Sequence, residues 1–326
     1  MQLPVEIIGR IIQLVYFSSS KRKAILPLLL VSPTFRIETE RLLYSHLCLR
    51  TLSQVVRCFQ TINARPNIPR TVRQLHVSVT LNSNLPAAGL FDFISLDGTV
   101  LGDEQVLRMR EARAAKLTGK VLRPFGVLVH RTLNKLVSLQ EYSLSLGNAP
   151  GRDELAFAPM WLPAQAPFTL RRFIVDLNLS PPMTRFLQSQ PSITDLLAPH
   201  FYNQPGRLPL PKGSLPKLRG LVLSPEVASS IVPGRPVKRV VLKPSGQRGA
   251  PRMIDAITHA IPFLAQSTVP VKSIDLVAPQ LPDITELLLK PLAAGLPYLE
   301  HIALRRSFIF PDEVSKVKRI LPFLFD

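Results

Sequence analysis

Residues 218–223 read LRGLVL, and the same phrase stands at 170–175 as LRRFIV and at 237–242 as VKRVVL. Each copy is an aliphatic residue, two mostly polar ones, an apolar residue, any residue and another aliphatic. Along an extended chain, side chains alternate between two faces. The fourth and sixth positions, Leu221 and Leu223 for example, therefore point to one side together. That pattern describes a strand with one buried face. It returns as VRQLHV at 72–77, LQEYSL at 139–144, VKSIDL at 271–276 and LEHIAL at 299–304, with a weaker copy, ITDLLA, at 193–198.

From residue 139 onward the starts differ by 31, 23, 25, 19, 34 and 28 residues, an irregular period mostly within or near the leucine-rich-repeat range. A proline stands one or two residues ahead of most copies (Pro191, Pro216, Pro236, Pro270 and Pro297), where it ends the preceding helix and biases its neighbour to extended geometry. Between copies, Arg252 to Gln266, Asp283 to Ala294 and Asp312 to Leu324 have helical patterning. Strand, helix, proline, strand is the order of a solenoid whose units bury their faces against one another. An ordinary α/β domain with a parallel sheet uses the same alternation; the recurrence of the phrase favours the array. The interval between 77 and 139 breaks it. Asn82 to Gly102 reads as a loop and Asp103 to Lys120 as a charged helix, so about 80–138 is an insertion or a degenerate repeat.

Ahead of the repeats, residues 3–17 read LPVEIIGRIIQLVYF. Pro4 suits a first helical position and Glu6 the positive helix N-terminus. Ile7, Ile11, Leu14 and Val15 share one face, which Ile8 and Ile12 widen. Polar residues 18–23 interrupt, then ILPLLLV at 25–31 leads through Ser32-Pro33 into a helix over roughly Thr34 to Ser45. So few short helices cannot cover this much apolar surface among themselves. Either they cap the repeats or a partner covers the excess.

LPVEIIGRIIQLV, then LLLVSPTFR, then ERLLYSHLCLRT, in that order across residues 3–51, resembles the F-box in its fungal form. The resemblance implies a non-catalytic substrate-recognition subunit of an SCF-type ubiquitin ligase, docked on a Skp-family adaptor and through it on cullin. Its adaptor-binding residues would be Leu3, Pro4, Ile7, Ile11, Val31, Phe35 and Leu42, with Arg36 and Tyr44 in support. F-box chains commonly carry leucine-rich-repeat-like units. The expected fold is thus α/β: a short N-terminal helical F-box over 1–51, then an irregular solenoid of parallel strands and helices over 52–326 that binds a target protein. The alternative is a repeat scaffold with a degenerate F-box, acting outside a ligase.

Composition agrees with a packed chain: 46% hydrophobic and 19% charged residues. The 32 prolines, without low-complexity tracts, read as punctuation between short elements. The charge of +18 divides as +10 in residues 1–150 and +8 in the rest, so no basic tail carries it. Two cysteines provide no disulfide framework, and the longest apolar run, Ala24 to Val31, is far too short to span a membrane. A cytoplasmic or nuclear location is expected. Six scattered histidines make no HxxxH pair, and LTGK at 117–120 lacks the upstream glycine and the hydroxyl residue of a phosphate loop. No catalytic residues, metal ligands or cofactors are therefore expected. Nucleic acid would have only charge to recognise, since aromatics are 7% and no RNA-binding or zinc signature is present.

The second and third positions of the phrase should lie on the open side of such an array. There stand Arg73, Arg171, Arg172, Arg219, Lys238, Arg239 and Lys272, with Arg305 and Arg306 after the last copy. A ladder of this kind would attract an acidic or phosphorylated segment of a target; basic residues placed for solubility would look the same.

Overall fold

The computed structural model describes residues 4–18, 22–80, 114–147, 161–175, 180–198, 210–243, 250–278 and 284–306. It begins with α1 (Val5–Ser18), a 3-10 helix over Arg22–Leu30 and α2 (Pro33–Ser45). Ser32 caps α2, its hydroxyl accepting from the Phe35 N–H at 3.3 Å, with Pro33 in the first turn where a missing N–H costs nothing. No linker follows. The chain passes directly into β1 (His46–Leu49) and then α3 (Leu52–Ala64), which starts on a reciprocal capping box between Thr51 and Gln54.

The remaining elements are β2 (Gln74–Thr80), α4 (Ala114–Leu133), β3 (Glu141–Gly147), β4 (Arg172–Val175), α5 (Pro181–Gln188), β5 (Asp195–Ala198), β6 (Gly220–Leu223), α6 (Ala228–Ile231), β7 (Arg239–Leu242), α7 (Ala250–Leu264), β8 (Ser273–Ala278), α8 (Ile284–Gly295) and β9 (His301–Arg306). The nine strands form one sheet, ordered β1 to β9 as in the chain, with every neighbouring pair parallel. The fold is α/β, and the sheet never reverses direction across its width. No helix among the described residues is long and apolar enough to cross a membrane.

Every copy of the phrase becomes a strand, in register. Leu75, Tyr142, Phe173, Leu196, Leu221, Val240 and Ile274 form one buried row through the fourth positions. The sixth positions form a second row from Val77 through Leu223 to Leu276. Helix residues such as Phe59, Phe125, Phe186, Ile257 and Leu288 join these rows in one core, so the helices cover this face. Burying each such side chain contributes about 1.5–3 kcal/mol, which is why the fourth and sixth positions tolerate only apolar residues. The core thins at the last strand: Leu304 is 42% exposed where its row-mate Leu276 is 1% exposed.

Three details add to this reading. The segment YSHLCL at 44–49, read as the close of the N-terminal motif, supplies β1, so the boundary at 51 falls behind the first strand. No strand lies between β2 and β3 among the described residues; the two pair directly over seven residues, and α4 belongs to their crossover. Proline does not only separate elements, because Pro27, Pro124, Pro262 and Pro291 lie inside helices. Residues 82–102 and 103–113, and the helical pattern at 312–324, lie outside the described residues.

Candidate functional site

The face of the sheet opposite the helices is open, and its chemistry is set where each strand begins. In the first crossing, the N–H groups of Gln140 and Glu141 both donate to the Arg73 carbonyl, at 2.8 and 3.0 Å. Arg171 and Arg172 repeat this on Gln140, Thr194 and Asp195 on Arg171, and Arg219 and Gly220 on Thr194. Lys238 with Arg239, Lys272 with Ser273, and Glu300 with His301 continue the series. Two consecutive N–H groups on one carbonyl form a bulge-like kink. Strict alternation would send the second position inward. The kink turns it outward, so from β2 to β8 second and third positions both reach solvent, the buried Gly220 excepted, while the first and fourth are buried; at β9 Leu299 and Ile302 are half-buried.

The two exposed rows differ in charge. Along the third positions, Glu141, Arg172 and Asp195 are successive neighbours in register, followed by Gly220 and Arg239. Arg239 reaches back over Gly220 to Asp195, with Nη2 at 3.5 Å from Oδ1. Any Cβ at Gly220 would overlap that Asp195 oxygen. This row compensates itself. Along the second positions, Arg73, Arg171, Arg219 and Lys238 are exposed and make no ion pair among the described residues. Gln140 and Thr194 stand between them. Lys272 is different: its ammonium lies 2.5 Å from Glu300, and that hydrogen bond holds the Glu300 carboxyl below its usual range.

Of the expected ladder, Arg171, Arg219 and Lys238 thus remain available, together with Arg73. Arg172 and Lys272 are flanked or paired by carboxylates from neighbouring strands, and Arg239 is paired with Asp195 two strands away. The backbone of Arg305 and Arg306 ends β9, while their side chains fall outside the described residues. Next along each strand, on the same face, lie Ile174, Leu197, Val222 and Val241, half-buried and adjacent in register. Sequence reasoning left the fifth position unconstrained and missed this apolar row; its signal was four successive aliphatic residues at that position.

A second surface lies in the N-terminal helices. Ile8, Ile12 and Ile25 are buried, whereas Val5, Ile7, Leu14, Leu26, Leu30, Val31 and Ile37 are 45–90% exposed. They are seven of the twelve large hydrophobics that stand exposed among the described residues, a concentration that isolated surface residues do not produce. Of the expected adaptor-binding set, Ile7 and Val31 are 48% and 59% exposed. Pro4 is also exposed, Ile11, Phe35 and Leu42 are half-buried, and Leu3 lies outside the described residues.

A cleft of about 280 Å³ between the ends of α7 and α8, lined by Leu264, Val271, Leu296 and Tyr298 among others, holds no carboxylate, histidine or thiol. Among the described residues no group of three or more His, Cys, Asp or Glu side chains could hold a metal ion. Compared with protein-family models and with curated proteins, the sequence gives no match.

Proposed function

We propose that the chain is the non-catalytic substrate-recognition subunit of an SCF-type ubiquitin ligase, an F-box protein with leucine-rich-repeat-like units. Its N-terminal helices dock on a Skp-family adaptor, and through it on cullin, while the open face of the sheet holds the target protein. The observation that carries the reading is the exposed apolar surface around Ile7, Leu30 and Val31, left uncovered by the sheet and by α2. Exposed apolar residues concentrated in one segment mark a surface that a partner covers. Nine parallel strands in chain order support the solenoid half, because each crossover then advances one strand in the same sense.

The test is capture of a purified Skp-family adaptor by the full chain. Ile7→Asp with Val31→Asp places charges on exposed positions, so folding is retained and adaptor capture falls at least about tenfold. A wild-type chain that never captures the adaptor refutes the proposal.

One observation favours a second reading, a repeat scaffold with a degenerate F-box acting outside a ligase. Residues Arg22–Leu30 form a 3-10 helix around Pro27, a tighter and less stable coil than an α-helix. In that case target binding survives deletion of residues 1–45, and the bound partner's turnover does not change.

A further inference from the structure

Three exposed arginines stand on alternate strands: Arg73 at the start of β2, Arg171 at β4 and Arg219 at β6. Strands are about 4.8 Å apart, so successive guanidinium anchor points are about 10 Å apart. Lys238 extends the row by one strand. Uncharged Gln140 and Thr194 fill the gaps, and beyond the self-compensating third-position row, on β4 to β7, runs the half-buried apolar line Ile174, Leu197, Val222 and Val241. A polyproline II helix has three residues per turn and advances about 3.1 Å per residue, so side chains three apart lie on one edge at about 9.3 Å. The spacing of the arginine row matches that repeat. Fully extended β structure, whose same-side residues recur at about 6.7 Å, does not.

We propose that the open face binds a polyproline II segment of a partner protein with a carboxylate at every third residue and apolar residues along a second edge. The carboxylates meet Arg73, Arg171 and Arg219, and the apolar edge lies on the line from Ile174 to Val241. This deepens the reading of the open face as the target-binding surface and rests on it. Carboxylates fit better than a phosphate. A phosphate's double charge is best held by several converging guanidinium groups. Of the two arginines that could supply that convergence, Arg239 is paired with Asp195, and Arg172 stands in register between the carboxylate residues Glu141 and Asp195.

The experiment is fluorescence anisotropy of a labelled (Glu-Leu-Pro)4 peptide with the full chain at two salt concentrations. Controls are a peptide of equal composition with its glutamates in adjacent pairs, an alanine-substituted peptide bearing one central phosphoserine, and a twelve-nucleotide oligouridine. The repeat peptide is expected to bind at least about tenfold tighter than the rearranged one and to weaken with salt. Arg171→Glu with Arg219→Glu should lower its affinity at least about tenfold, while Arg57→Glu, exposed on α3 away from the row, leaves it within about twofold. Equal binding of the rearranged peptide, tighter binding of the phosphopeptide or the oligonucleotide, an unaffected double variant, or no binding would each overturn the proposal. Adaptor capture by the same preparations separates the two readings, since intact capture without peptide binding sinks this inference alone.

Discussion

Arg235 is 1% exposed and has no carboxylate partner among the described residues; its guanidinium is spent on backbone carbonyls. Nε donates to Ser214 at 2.8 Å, Nη2 to Leu210 at 3.0 Å and Pro211 at 2.9 Å, and Nη1 to Ile231 and Pro233. Burial pushes its pKa down to about 10, so the group stays charged at neutral pH and keeps its five donors. The side chain ties residues 210–214 to the turn that launches β7, and so to Lys238 in the cationic row. Replacing it by methionine keeps most of the apolar stem and removes every donor. Pro211 also accepts from the Ser214 N–H at 3.1 Å, which leaves four carbonyls to lose their partner, Leu210 and Ile231 in buried places and Ser214 and Pro233 in half-buried ones. At about 1 kcal/mol for each, with some relief from water entry, Arg235→Met should cost about 3–4 kcal/mol. Arg235→Lys, one ammonium with three donors and no fork, should recover less than half. Because a repeat array need not unfold in one step, the assay is hydrogen exchange read by mass spectrometry. Exchange in residues 210–243 should rise at least about a hundredfold, while residues 114–147 are unchanged. Equal exchange in both variants and wild type would refute the clamp.

Two further outcomes follow from burial. Tyr142 stacks on Phe173 at 6.0 Å with its hydroxyl buried and without a hydrogen-bond partner among the described residues, and burial drives its pKa far up. Tyr142→Phe should therefore leave thermal stability unchanged or raise it by up to about 1 kcal/mol, and a loss of more than that shows a partner for the hydroxyl. Cys48 is exposed, while burial pushes the half-buried Cys58 thiol up to about 11. At pH 8 roughly one Cys58 in a thousand is thiolate, so iodoacetamide should label one thiol quickly and the other about ten times faster per pH unit up to pH 10; equal rates at pH 8 contradict this.

The strands were legible because alternation is local: six residues suffice to say that Leu221 and Leu223 face one way. β1 escaped notice because YSHLCL reads equally well as the close of the N-terminal motif. The charged ladder was only half legible. That Arg171 is exposed can be read from its own phrase. That Arg239 is neutralised by Asp195 cannot, since the pair is 44 residues apart and meets only because Gly220, on the strand between them, has no side chain. Arg235 was hidden for a related reason. An arginine in a proline-rich turn looks solvated until the turn is seen to fold five carbonyls around it.

The irregular period, the weakest part of the repeat pattern, has a physical explanation in the strand starts. What each unit must reproduce is the carbonyl that receives two N–H groups and the buried residues on either side of it. Both lie within a few residues of the kink. The crossover between them is free to vary, because its closure cost grows only with the logarithm of its length. Successive strand starts can therefore be 19 residues apart, as between β6 and β7, or 67, as between β2 and β3, with the same two-on-one hydrogen bonding at each. The same economy shows which positions are free to vary. Core positions are held by packing and crossovers by almost nothing. The second and fifth positions, fixed in space by the kink but free of the core, can change charge and shape without disturbing the register. Arg73, Arg171 and Arg219, with Ile174 to Val241 beside them, occupy those positions.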